Sequence, residues 1–119
     1  MCPSAPPSPG AVLLAITGPD GRPAYLPRPL PVDGDFVALL DGQPDVDQRF
    51  RFSAPCIQHR CAHWQQGGCS IPGKLAADPA VPVTADLPRC SIRRTCRWFA
   101  QLGGDACRRC PAVVRTAQE

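Results

Sequence analysis

Regular patterning begins at Ala11–Thr17, an apolar run with β-branched residues that stops at Gly18-Pro19-Asp20-Gly21, a strong turn signal, before Pro23–Leu30 returns as a second extended segment. This predicts a hairpin. Pro27, Pro29 and Pro31 remove every second N–H from the return strand, which assigns it to a sheet edge. Asp33 or Asp35 can cap a short helix over Phe36–Leu40, ended by Asp41-Gly42. Gln48–Ser53 then alternates Arg49, Phe50, Arg51 and Phe52 in the period-two pattern of a strand with one wet face. Residues 1–10 read as a disordered tail, and Cys2 within it as a spectator. Residues 11–55 are thus expected to be a small β-rich lobe.

Beyond the lobe the pattern changes. Two blocks repeat a leading Cys and an apolar stripe at i, i+4, i+7: Ile57, Cys61, Trp64 in the first and Ile92, Cys96, Phe99 in the second. Each stripe predicts one face of a short helix, with the middle thiol directed inward. Gly67-Gly68 and Gly103-Gly104 are expected to end those helices just before Cys69 and Cys107. Residues 70–88, punctuated by prolines, read as a connector poor in regular hydrogen bonding, ordered where Leu75, Val81 and Val83 pack. The predicted fold class is α+β: a β-rich N-terminal lobe, two short helix-containing cysteine blocks at 56–111 organised around metal clusters and integrated with the lobe, many loops, and a tail at 112–119.

Composition supplies the reason for clusters. A chain of 119 residues with 16 Pro and 10 Gly has a thin core and needs a staple, for which its 8 Cys are the obvious supply. The first residues lack the basic region of a secretory signal, and no apolar stretch approaches the about 20 residues that cross a bilayer. A cytoplasmic chain with no membrane association is expected, and reduced thiols there turn a dense cysteine pattern toward metal and away from disulfides.

Spacing then separates the metals. Structural zinc is commonly held by tight knuckles, of which C-x₂-C is found only at Cys107-x₂-Cys110, whereas the other gaps, C-x₄-C-x₇-C and C-x₅-C-x₁₀-C, are wide and irregular and suit the separated corners of a [4Fe–4S] cluster. Cys90, Cys96, Cys107 and Cys110 suffice for one cluster. Cys56, Cys61 and Cys69 supply three ligands for a second, with His59, His63, an exchanged Cys, Cys2 or an exogenous group as the fourth.

Charge adds a partner to this reading. Residues 89–119 carry seven arginines against Asp105 and Glu119. Arg93, Arg94, Arg97, Arg108 and Arg109 lie within three residues of a candidate ligand, where they would raise a cluster's potential or dock an acidic protein or redox enzyme; nucleic acid is the weaker option. The expected function is non-catalytic: an iron–sulfur protein in electron transfer or in redox or oxygen sensing. The alternative is a zinc-stapled module that binds protein or nucleic acid. Oligomeric state has no signal in the chain.

Overall fold

The apolar run and its proline-rich return form a hairpin, but they are joined by a strand that the composition hides. In the computed structural model, which describes residues 1–114, β1 (Cys2–Ala5), β2 (Val12–Thr17), β3 (Pro23–Pro31) and β4 (Phe50–Ala54) make one sheet in the order β1-β4-β2-β3. Every pairing in it is antiparallel. The prolines of β3 lie at an edge, as their missing donors require. Pro27 and Pro29 fall where the ladder slips between Leu13 opposite Leu30 and Ala15 opposite Tyr25.

The other edge corrects the expectation of a disordered tail at 1–10. Cys2 pairs with Ala54 and Ala5 with Phe52. Pro3 and Ala5 are buried, so small apolar side chains on one side of β1 anchor a strand that proline content argued against.

α1 (Gly34–Leu40) starts as its sequence demands: Asp33 accepts a 2.8 Å hydrogen bond from the Phe36 amide. α2 (Val46–Arg49) follows and takes Gln48 and Arg49 out of the expected strand, which begins only at Phe50. Both helices cover one face of the sheet, where Leu13 and Phe52 pack with Phe36, Val37, Leu40 and Val46. Phe36 and Phe52 meet edge to face at 6.2 Å.

The opposite face is covered as well, which corrects the reading of β4 as a strand with a wet side. Arg51 is 6% exposed and Ser53 0%. Above them lie the cysteine blocks, whose Ile92, Cys96, Trp98 and Ala106 pack with Leu14 of β2. Full burial of side chains such as Leu14 and Phe52 contributes about 1.5–3 kcal/mol each.

This layer holds the β5 (Trp64–Gln65) and β6 (Gly68–Cys69) hairpin, α3 (Ile71–Ala77), α4 (Arg97–Leu102) and α5 (Gly104–Arg109), with 3₁₀ turns at Gln58–Arg60, Arg93–Thr95 and Cys110–Ala112. α3 corrects part of the connector: Pro72 sits in its first turn, where a missing N–H costs no helical bond. Leu75 packs against the core, whereas Val83 is 54% exposed. The molecule is therefore mixed, a small antiparallel sheet between two sets of short helices and turns. Of the expected tail, residues 115–119 lie outside the described residues, Arg115 among them.

Candidate functional site

All eight cysteines are free of disulfides, and they sort into two pockets of four. Cys2, Cys56, Cys61 and Cys69 line the first; Cys90, Cys96, Cys107 and Cys110 line the second. Cys2, expected as a spectator, stands in the first pocket because β1 carries it beside the end of β4.

The two blocks build their pockets by the same local device, and it is not the predicted helix. Ile57 and Ile92 each precede a three-residue 3₁₀ turn, and the next cysteine leaves it extended, Cys61 at ψ 139° and Cys96 at ψ 128°. In a continuous helix the following amides would be bonded to carbonyls four residues back. Breaking the helix at the cysteine frees them for sulfur. His63 donates its backbone N–H to Cys61 Sγ at 3.4 Å, and the Trp98 and Phe99 amides lower the Cys96 thiol against its burial. Ile57 is 48% exposed, so the first stripe contributes no core at that position.

After each turn a glycine reverses the chain. Gln66 (φ 51°) and Gly67 (φ 80°) form the bend between β5 and β6, the two positive φ values of a tight hairpin turn. Gly67 thus ends no helix. Gly103 (φ 64°, ψ −146°) does, closing α4 and opening α5 in a conformation that side chains disfavour. α5 and the turn after it then present Cys107 and Cys110 three residues apart on one face. The blocks are tied together by Gln101 of α4, whose amide group accepts from Cys69 N and donates to Cys69 O, both at 2.9 Å.

Burial pushes the Cys2 thiol up to about 11, with the Ser4 amide opposing and Cys69, Cys56 and Cys61 adding to the rise. Cys69, Cys90 and Cys96 are raised for the same first reason. An amide two residues on opposes the rise in each case, from Ile71, Ile92 and Trp98 respectively. Buried thiols crowded together keep their protons unless a cation takes the protons' place.

Three side chains complete the surroundings. Trp98, 1% exposed, lines both pockets. Its indole favours the Cys69 thiolate, yet Nε1 lacks a partner of full hydrogen-bond geometry. His63 lines the first pocket with a buried Nε2 that is also unpartnered, whereas His59 is exposed and does not line it. That separates the two candidate histidines.

Arg51 stands behind the second pocket, donating to Cys110 O and Pro3 O at 2.8 Å and to Cys110 Sγ at 3.1 Å. Burial works against its charge, but Cys110 outweighs it and holds the guanidinium above its usual range. The Tyr25 hydroxyl lies 3.6 Å from the same sulfur. Neither residue was legible as a site residue. Of the arginines the chain did flag, Arg93 lowers the Cys90 thiol, Arg97 stacks over Trp64 at 5.0 Å, and Arg109 binds Asp105 O at 3.1 Å.

Free space differs between the pockets, about 300 Å³ in the first and about 20 Å³ in the second. Among the described residues, no three His, Cys, Asp or Glu side chains are grouped to hold a single metal ion. No family model matches the chain, nor does any curated protein or solved structure.

Proposed function

We propose that the chain is an iron–sulfur protein that holds two [4Fe–4S] clusters, one per pocket, and passes electrons to a protein partner. The observation that carries this reading is the sorting of eight unbridged cysteines into two sets of four. Cys2 supplies the fourth thiol of the first set.

The donor chemistry supports a cluster. Both sets are all-sulfur, the ligation iron–sulfur clusters take. Tetrahedral zinc, with Zn–S near 2.3 Å, requires sulfurs within about 3.8 Å of one another. Among the described residues no three of these thiols are grouped for a single ion, a grouping that a cluster with separated iron corners does not need. The orphaned Trp98 Nε1, the amides at sulfur and the buried Arg51 all favour negative charge in the pockets. The first pocket has about 300 Å³ of free space for such a group, and in the second, with about 20 Å³, the cysteines have to draw apart to admit it.

Two complete cysteine sets leave no iron open to substrate, which favours electron transfer over catalysis. Exposed Arg89 and Arg94 on the second block offer guanidinium groups to an acidic partner. No described helix is long and apolar enough to cross a membrane. Anaerobic isolation should yield a brown protein with about eight irons and eight sulfides per chain and a broad visible absorbance that bleaches on reduction. Colourless protein with stoichiometric zinc and no sulfide overturns the proposal in favour of a zinc staple.

A further inference from the structure

The two pockets repeat one local design, but what the sheet places against them is different. Arg51 is a buried cation with three acceptors, and one of them is the Cys110 sulfur. A buried guanidinium needs a compensating negative charge, and the groups it touches are two carbonyls and that sulfur. Tyr25 adds a second donor to the same atom. At the first pocket the lining cation is Arg97, and its guanidinium lies on the Trp64 ring. No donor equivalent to Arg51 reaches Cys2, Cys56, Cys61 or Cys69 among the hydrogen bonds of the described residues.

Trp98 joins the two sites. Its buried side chain lines both pockets, and its indole Nε1 has no hydrogen-bond partner within the protein.

Resting on the two-cluster reading, we infer that the pockets form a directed one-electron relay: the first exchanges electrons with an external donor protein, the second holds the electron beside Arg51, and Trp98 connects them. In the internal step the reduced first cluster loses one electron and the oxidised second cluster gains it. No bond is made or broken and no proton is required, and the electron comes from a low-potential one-electron donor protein. A buried, weakly screened cation at Cys110 stabilises the added negative charge and makes the second site the more positive couple.

Potentiometric titration of the holoprotein with dithionite, read by electron paramagnetic resonance, tests this. Iron and sulfide are assayed on the same sample, so missing clusters defeat the two-cluster reading itself, whereas the outcomes below bear only on the relay. Two separate couples are expected, and in Arg51→Met the more positive one should shift negative, toward the other, which stays in place. Tyr25→Phe, a milder change, should move the same couple in the same direction by less and keeps the test alive if Arg51→Met does not fold. With both sites reduced, the spectrum should show interacting spins, and Trp98→Phe, which removes the unpartnered indole N–H from the wall the pockets share, should weaken that interaction. Coincident couples, a shift in the wrong couple, or two non-interacting signals overturn the inference.

Discussion

The first and second cysteine pockets start from nearly the same sequence phrase and end in different surroundings. The second takes its thiols from residues 90–110 alone, packs them against buried Trp98, and has Arg51 and Tyr25 behind Cys110. The first gathers Cys2 from an edge strand, Cys56 and Cys61 from a turn, and Cys69 from a hairpin, around a larger space. A repeated block therefore sets how a thiol is presented. What faces the thiol is decided by the sheet, which belongs to neither repeat.

The largest test asks whether the pockets are separate units. Cys61→Ala and Cys96→Ala should each reduce iron from about eight to about four per chain, leaving a spectrum of half intensity. Loss of all iron from either variant would join the pockets into one. Air provides the next contrast, since the first site has about 300 Å³ of free space and the second about 20 Å³. Brief exposure should bleach roughly half of the absorbance first, and the cluster kept by Cys61→Ala should survive several-fold longer than the one kept by Cys96→Ala. Equal lifetimes would erase the distinction.

Gln101→Ala sharpens it at lower cost to the fold. Losing two hydrogen bonds to the Cys69 backbone removes about 1–3 kcal/mol. Iron release to a chelator should speed up for the first site and not for the second. Asp33→Ala has the smallest expected effect: about 1 kcal/mol from the lost cap of α1, seen as a lower urea midpoint, with both sites keeping their iron. A change in either spectrum would show that the helical face of the sheet reaches the pockets.

How far the chain could be read depended on the range of each interaction. The β2–β3 hairpin, the edge placement of the prolines and the Asp33 cap are local, and the sequence states them directly. The gathering of Cys90, Cys96, Cys107 and Cys110 follows from spacing within one short segment. β1 was hidden because its evidence lies in the pairing of Cys2 with Ala54, fifty-two residues away. Arg51 was misread because alternation along β4 shows that its two faces differ without showing what covers each. The stripes through Cys61 and Cys96 suggested helices because a 3₁₀ turn followed by an extended cysteine keeps apolar residues at similar spacing.

The clamp between Gln101 and Cys69 has a consequence for the timing of synthesis. Cys2 leaves the ribosome well before Gln101, while the strand carrying it docks on α4, where Arg97 N donates to Met1 O at 2.8 Å. At about 5–20 residues per second, roughly 5–20 s separate the emergence of Cys2 from that of Gln101. During that interval the first four-cysteine set exists as loose thiols with no wall to close against. The first pocket therefore closes only after α4 has been made, although Cys2 is made long before it.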